Sequence, residues 1–417
     1  MTPLSARRRY ALVSFLTWLP PGLMMAPMVL LMSERGLGLP EIGLTVTVFS
    51  VVTIALELPT GGLSDVVGRR VVLAASAAVS VAAMTTLAFA TTLGAFVVAG
   101  VLKGVARALS SGPAEAWYVD TLHATEGPAA DLRPGLARGS AMGSVALCAG
   151  MVVGGVLPLA VPPGAPILPL AAPPLAAALA AAVLLVVVLL VLPEPPHARR
   201  SLGGVLREVP LTVASGLRLV TAGPRLRRLM IYAMANGMAL TAVELLTPGR
   251  LADLAGTAER GTTAYALVAA VGFAGSAVGS SLAPFLARIA GGNARGASAG
   301  VVLAALSLGA LAATAGLDGV PGLVSAGIAY VLMFTGISAT GLLAQAMTHD
   351  AVTAAERTTV TSIGSLSLQA GGALSNLALG LLAAGSGVAA AWWLVSAVLL
   401  LSSLLFARLP ERVREAV

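Results

Sequence analysis

Four side chains that are charged or can form hydrogen bonds recur at four-residue intervals in one apolar stretch of this sequence. They are Lys103, Arg107, Ser111 and Glu115, and a continuous helix would place them along one slowly drifting face. A further acid, Glu57, interrupts the apolar run that leads into the segment ELPTGGLSDVVGRR. A charge at bilayer depth costs at least ~2.5 kcal/mol, so such groups face a protein interior, pair with one another or serve a function.

Acids beside cations in an apolar setting can exchange protons. We expect Glu57 and Glu115 to take up and release protons, while Arg107, together with Lys103, tunes their affinity for them. The alternative is a static ion-pair network that joins the second and fourth apolar segments. Proton-driven activity that survives in both Glu57→Gln and Glu115→Gln would favour the static network.

The composition predicts that lipid surrounds most of this chain. Of its 417 residues 57% are hydrophobic and 10% are charged, whereas a soluble domain carries roughly 25% charged residues. Backbone groups can be satisfied within lipid by helices, so the fold class is an all-α membrane protein. Twelve stretches of spanning length are predicted, at about 10–33, 40–62, 71–91, 95–119, 137–160, 166–192, 227–250, 262–287, 296–315, 321–347, 358–384 and 387–407.

The arginines predict the orientation of these spans. The first apolar run, within RRRYALVSFLTWLPPGLMMAPMVLLM, is too long for a signal peptide and is interpreted as a retained first span. Connections on the side of the N-terminus carry most arginines outside the spans, and the opposite connections carry Arg35, Arg250 and Arg260. This asymmetry predicts a multi-pass protein of the inner (plasma) membrane with both termini in the cytoplasm. It explains the net charge of +7 without nucleic-acid binding.

A long polar connection divides the spans into two sets of six. We expect an N-terminal bundle at 1–192, a cytoplasmic linker at 193–226 and a C-terminal bundle at 227–417, related by pseudo-symmetry. The sixth, ninth and twelfth spans carry no ionisable residue and are predicted to face lipid. The other spans would then share a polar interior.

The segment GGLSDVVGRRVVL resembles the signature loop between helices 2 and 3 of the major facilitator superfamily. Helix 4, KGVARALSSGPAEAWYVDTL, resembles that of a bacterial branch of drug or multidrug exporters. The resemblance implies the major facilitator fold, in which two six-helix bundles rock around a central site. It also implies that Arg69 or Arg70 pairs with Asp120 as a gate; the alternative is a solvated surface pair of little energetic value. The gating residues implied are Gly61, Asp65, Gly68, Arg69, Arg70 and Asp120.

Helix 5 contains GMVVGG, which resembles the end of the superfamily's antiporter motif with Met151 in place of proline. Gly150, Gly154 and Gly155 give a smooth surface for close packing against another helix. Packing without any antiport meaning is the equal alternative.

The second half offers fewer polar groups. Glu244 would attract a cationic substrate or relay protons, or it would lie in a wet vestibule near Arg250. Asn236, Gln369 and Asn376 would line the substrate path or hydrogen-bond between helices.

No nucleotide-binding loop, catalytic triad or metal-ligand cluster occurs in the sequence, which indicates no enzyme, cofactor or metal site. The predicted function is secondary transport by alternating access, as proton-coupled efflux, an antiport of a hydrophobic small molecule or drug. The alternatives are a proton-coupled symporter or facilitator that imports a small solute, and a membrane scaffold or sensor without transport. The expected partners are the substrate, protons and the lipid bilayer, and the expected state is a monomer.

Overall fold

The computed structural model of the chain describes residues 2–162, 164–194, 214, 218, 220, 221, 223–353, 356–407 and 409. It leaves out the side-chain environments of Leu58, Gly61, Asp65 and Thr358. Most of the predicted linker at 193–226 therefore lies outside the described residues, as do the last arginines of the chain.

The first half is helical from near its start. Its helices are α1 (Pro3–Met25), α2 (Met28–Glu34), α3 (Leu39–Val67), α4 (Arg69–Phe89), α5 (Leu93–Ser110), α6 (Pro113–Glu126), α7 (Arg133–Val156) and α8 (Ala172–Val191). Short 3₁₀ turns at Leu157–Ala160 and Pro169–Ala171 lie between α7 and α8.

The second half continues the pattern with longer helices. They are α9 (Pro224–Ala255), α10 (Ala258–Ala290), α11 (Asn293–Ala313), α12 (Gly319–His349), α13 (Arg357–Ser386) and α14 (Val388–Ser402). A 3₁₀ turn, Ser403–Leu405, follows α14.

The number of spanning helices agrees with the twelve predicted from the sequence when the bent pair α1 and α2 is taken as one span. In the described part of the chain, eleven helices are long and apolar enough to cross a membrane. The pair α1 and α2 is bent by 44° at its break and counts as a twelfth when taken as one span. The break has a local cause, because Pro20, Pro21 and Pro27 remove backbone donors around it.

Glycine at positive φ separates the second and third spans. Gly68 has φ +101° and is both the C-cap residue of α3 and the N-cap residue of α4. A side chain there would be strained, and a Cβ would also lie 2.6 Å from Glu194 Oε1. The glycine at this point of the loop is therefore required by both the backbone and the space around it.

Contacts divide the chain into two compact units. The first comprises Met1–Pro210 with Pro248–Leu267, and the second comprises Leu211–Thr247 with Val268–Val417. The bundle limits expected from the sequence stay a prediction. In the first unit, a buried cluster gathers Tyr10, Trp117, Tyr118 and Leu122 with aliphatic side chains of α4 and α8.

The second unit packs through small residues. The Thr340 hydroxyl donates to the Ala297 carbonyl at 3.0 Å, across the α11–α12 contact. A Cβ on Gly336 would meet the backbone of α11, so the two helices approach closely there. Trp392 and Tyr330 are fully buried within the unit.

Candidate functional site

The fourth predicted span is broken in its middle. Helix α5 ends at Ser110 and α6 begins at Pro113, with Gly112 at φ +95° between them. The predicted span at 95–119 is confirmed as Leu93–Glu126, but the expectation of one continuous helix was wrong, because the stripe from Lys103 to Glu115 crosses the break between two helices. The reason is local: Gly112 adopts a left-handed conformation, and Pro113 lacks the N–H that a continuous helix would use.

Hydroxyl groups satisfy the carbonyls that this break exposes at the end of α5. The Thr60 hydroxyl of α3 lies between the Leu56 carbonyl of its own helix, at 2.8 Å, and the Ala108 carbonyl, at 2.9 Å, and the Ser111 N–H donates to the Ala108 carbonyl at 3.3 Å. The Ser110 hydroxyl donates to the Arg107 carbonyl at 2.8 Å. Irregular backbone within a span needs such partners, because lipid supplies none.

Arg107 lies beside the break, with its guanidinium over an aromatic ring. Its guanidinium carbon is 4.6 Å from the centroid of the Trp18 ring. Glu57 is its electrostatic neighbour, and the Ser111 hydroxyl lies 3.3 Å from Glu57 Oε1. The predicted acid and cation of the second and fourth spans are thus brought to one place, although the Ser111 contact is long for a hydroxyl hydrogen bond.

Three glycines on α7 position the aromatic rings that surround this place. Cβ atoms at Gly135, Gly139 and Gly143 would clash with the rings of Tyr118, Tyr10 and Trp18 respectively. The rings of Tyr10 and Tyr118 stack with centroids 4.9 Å apart. The small-residue groove of α7 therefore holds α1 and α6 close, and it sets the ring on which Arg107 rests.

A cavity of about 190 Å³ opens at the break, between α1, α5 and α6 of the first unit. Its walls include Tyr10, Ser14, Trp18, Arg107, Ser111 and Glu115. Glu115 follows Pro113 in the first turn of α6 and is exposed to this space. The cavity thus presents a cation, an acid, hydroxyls and aromatic rings to a common volume.

Lys103 occupies a different environment from Arg107. Its Nζ lies 2.9 Å from Met28 Sδ and 5.3 Å from the centroid of the Phe49 ring. It is not among the residues that line the cavity. Its predicted influence on the two acids stays a prediction.

The loop between α3 and α4 makes a set of ionic contacts. Arg69 Nε lies 3.2 Å from Asp120 Oδ2 of α6, and the same guanidinium donates to Ser64 Oγ. Arg70 donates to the Leu189 carbonyl. The side chain of Asp65 and the surroundings of Gly61 lie outside the described part of the structure.

Glu194 completes this loop and was missed in the sequence. Its two carboxylate oxygens accept the backbone N–H groups of Arg69 at 2.8 Å and Arg70 at 3.0 Å. Nearby, Trp117 Nε1 donates to the Pro193 carbonyl at 2.8 Å. An acid directly after a spanning helix carries no sequence signal for a partner so distant in the chain.

The glycines of α7 also make close contacts further along the helix. Cβ atoms at Gly150 and Gly154 would meet the backbone of Gly22 and Leu23 in α1. Gly155 instead faces α10, where the Thr263 hydroxyl donates to its carbonyl at 2.7 Å. These contacts serve close helix packing, and an antiport role for the three glycines stays a prediction.

In the second unit the predicted polar residues differ in exposure. Glu244 is exposed and Gln369 is partly buried. Asn376 is 2% exposed, and Asn236 Oδ1 is buried without a hydrogen-bond partner in the described residues. The Ser375 hydroxyl beside Asn376 donates to the Met238 carbonyl at 3.0 Å, so this part of α13 bonds directly to α9.

Comparisons with known proteins agree with this architecture. The sequence profile of the Major Facilitator Superfamily matches residues 10–344. No match was found among curated protein sequences.

Several solved transporters share the fold at low sequence identity. The nucleoside transporter NupG superposes with a TM-score of 0.77 at 12% identity, over 96% of this chain and 98% of that one. A bacterial homolog of the human lysosomal transporter Spinster, inward-facing and occupied, gives 0.73 at 14% identity over 97% and 95%. A POT family transporter in complex with 5-aminolevulinic acid gives 0.69 at 15% identity over 95% and 94%.

The profile covers well over half of the chain, and the all-helical fold with its spans is confirmed by these structures. The predicted exclusion of an enzyme agrees with the family, whose members are transporters. This chain belongs to the Major Facilitator Superfamily and is a multi-pass membrane protein that acts as a secondary transporter of small molecules.

Proposed function

We propose that the chain is a proton-coupled transporter in which the cavity at the broken fourth span holds the coupling acids. The observation that carries this proposal is that Glu115 and Arg107 line one cavity and that Glu57 Oε1 lies 3.3 Å from the Ser111 hydroxyl of the same wall. An acid whose distance from a cation changes between two conformations changes its affinity for protons. Alternating access would supply that change in distance.

Glu115 is the better candidate for the group that exchanges protons with solvent. It is exposed, and it makes no hydrogen bond or ion pair with the described residues. Glu57 is half-buried and has the Ser111 hydroxyl as a neighbour. The other titratable or charged groups around Glu115 are Tyr10 of α1 and Arg107 of α5.

The cavity favours a small polar solute over the hydrophobic cargo expected from composition. Its volume of about 190 Å³ lies below the ~300–1,000 Å³ typical of sites for drug-sized ligands. Arg107, Glu115 and several hydroxyls line it. A bulky apolar molecule would desolvate these charges without replacing their interactions with water.

For direction, we propose export by proton antiport, on the resemblance of helix 4 to bacterial exporters. Import by symport is the second candidate, because a cavity with charged walls suits a nutrient equally well. We further propose a monomer in the inner membrane with cytoplasmic termini, on the distribution of arginines. In this arrangement the Arg69–Asp120 pair would hold the cytoplasmic ends of the first unit closed.

The test begins with cells that lack or overproduce the protein. Compounds whose extracellular level follows expression are then loaded into proteoliposomes, and their flux is measured under an imposed pH gradient. We expect Glu115→Gln to abolish gradient-driven flux, whereas solute exchange without a gradient persists at saturating solute concentration. Glu126→Gln, an exposed acid on the same helix, is the matched control.

Gradient-driven flux that remains intact in both Glu115→Gln and Glu57→Gln would refute the proton role. Solute flux in the same direction as proton flow, rather than in the opposite direction, would replace the proposal of export by one of import. Absence of any expression-dependent compound would contradict transport as the role of this cavity.

A further inference from the structure

The cavity at the break in the fourth span holds one charge of each sign, and the two charges do not neutralise each other. Arg107 and Glu115 both line it. No ion pair within 4.0 Å joins them, although such pairs occur elsewhere in the described residues, as between Arg69 and Asp120. They lie on successive helices, with the turn at Gly112 between them.

Each charged group retains its capacity to bind a ligand. The Arg107 guanidinium carbon lies over the Trp18 ring, 4.6 Å from its centroid. A guanidinium has five N–H donors, and a single ring cannot occupy all of them. In the described residues these N–H groups have no hydrogen-bond acceptor, and the Glu115 carboxylate has no donor.

A ligand that fills this space must provide a partner of opposite charge for each of the two side chains. A guanidinium binds a carboxylate through two parallel hydrogen bonds, and a carboxylate binds an ammonium group through charge-assisted ones. An anionic ligand would leave the Glu115 carboxylate desolvated and unpaired, which is strongly unfavourable. A cationic or neutral ligand would leave the Arg107 guanidinium with Glu57 as its neighbouring acid and no hydrogen-bond acceptor among the described residues of the cavity.

We propose that the cavity binds a zwitterionic solute of amino-acid size, with its carboxylate on Arg107 and its ammonium group on Glu115. The rings of Tyr10 and Trp18 contact the apolar part of the ligand, and the Ser14 and Ser111 hydroxyls provide further hydrogen bonds. This inference rests on the proposed function in one respect, which is that the bound molecule is the transported solute.

Four probes with one phenylethyl skeleton test the charge requirement. They are phenylalanine, which is zwitterionic, phenethylamine, which is cationic, 3-phenylpropionate, which is anionic, and 2-phenylethanol, which is neutral. Each is added to the purified full-length protein in detergent at neutral pH, and binding is measured by the shift in unfolding temperature and by calorimetry. We expect phenylalanine to bind most tightly.

Two substitutions then assign each charge of the ligand to its side chain. Because a hydrogen-bonded charge pair is worth about tenfold or more in affinity, Arg107→Gln should weaken the binding of phenylalanine by that factor without weakening the binding of phenethylamine. Glu115→Gln should weaken the binding of phenylalanine similarly without weakening that of 3-phenylpropionate. Arg138→Gln and Glu126→Gln, exposed positions outside the cavity, should bind all four probes as the unaltered chain does.

Three results would overturn the zwitterion site. The first is an absence of phenylalanine binding up to millimolar concentration, and the second is binding of 2-phenylethanol as tight as that of phenylalanine. The third is an equal loss of affinity for all four probes in both variants. The measurement is made without a proton gradient, so it is independent of proton coupling. Coupling can fail while the preference for a zwitterion holds, and the reverse outcome is equally distinguishable.

Discussion

The carboxylate of Glu194 accepts the backbone N–H of Arg69 at 2.8 Å, although 125 residues separate the two in the chain. The first N–H groups of a helix have no partner within it, and a side-chain acceptor normally comes from the residue just before. At the start of α4 that residue is Gly68, which has no side chain. The end of the first half of the chain thus supplies the cap for its third span.

Glu194→Gln should destabilise the first unit. One acceptor oxygen becomes an amide nitrogen that faces an N–H group, so the free energy of unfolding should fall by about 0.5–2 kcal/mol, as for other lost caps. Thermal and denaturant unfolding in detergent measure the change, with Glu126→Gln as control. Equal stability of Glu194→Gln and the unaltered chain would show that the cap contributes nothing.

Gly112→Ala should cost stability through the backbone alone. A Cβ there meets no atom within 4 Å, but φ is +95°. A left-handed conformation costs an L-residue about 1–2 kcal/mol, so unfolding should become easier by about that amount. Gly94→Ala is the control: its Cβ is equally uncrowded, its φ is not positive, and alanine in a helix is favoured over glycine by roughly 0.5–1 kcal/mol. Opposite signs for the two substitutions are expected, and equal signs would contradict the observed break.

Thr60→Val should weaken the contact between α3 and the end of α5. The substitution keeps the shape but removes a hydroxyl that the Ala108 carbonyl, at 2.9 Å, shares with the Leu56 carbonyl of α3, at 2.8 Å. Loss of a buried hydrogen bond costs about 1 kcal/mol of unfolding free energy. Thr86→Val, whose hydroxyl bonds to the Ala82 carbonyl of its own helix, provides the comparison. A smaller loss for Thr60→Val than for Thr86→Val would rule out this support of the break.

Arg69 and Asp120 should show measurable energetic coupling. Their side chains are 14% and 34% exposed, so the pair is partly shielded from solvent. A double-mutant cycle with Arg69→Gln and Asp120→Asn should give a coupling of about 1 kcal/mol, the upper part of the range for surface pairs. The Arg133–Asp131 pair is 90% and 49% exposed, and the same cycle there should give no measurable coupling. Equal coupling in the two pairs would show that burial does not distinguish them.

The spans and the loop motif were predictable because each leaves a local mark in the sequence. A stretch of about twenty apolar residues specifies a spanning helix whatever its neighbours are. The loop from Gly68 to Arg70 is likewise defined by a glycine and charges at short spacing. Family resemblance paired Asp120 with Arg69 or Arg70; Arg69 is in contact with it, and the gating role stays a prediction.

The break in the fourth span has a signal in the sequence, but a competing pattern outweighed it in the prediction. The dipeptide Gly112-Pro113 is a common helix breaker, but the four-residue recurrence from Lys103 to Glu115 favoured one continuous helix. Trp18 and Glu194 could not be assigned from sequence. Their partners lie on other helices, and neither residue has a periodicity that points to them.

The interrupted fourth span has an electrostatic consequence that no ionisable side chain provides. An uninterrupted helix keeps its two poles at the membrane surfaces, whereas this span has a carbonyl-rich negative pole at Ser110 and an amide-rich positive pole at Pro113, both within Leu93–Glu126. The two poles have opposite sign and are three residues apart, and the last carbonyls of α5 accept hydrogen bonds, so together they form a local dipole rather than two separate charges. Replacing side chains leaves these partial charges in place, so a variant stripped of every acid and base around the cavity would still be polar there.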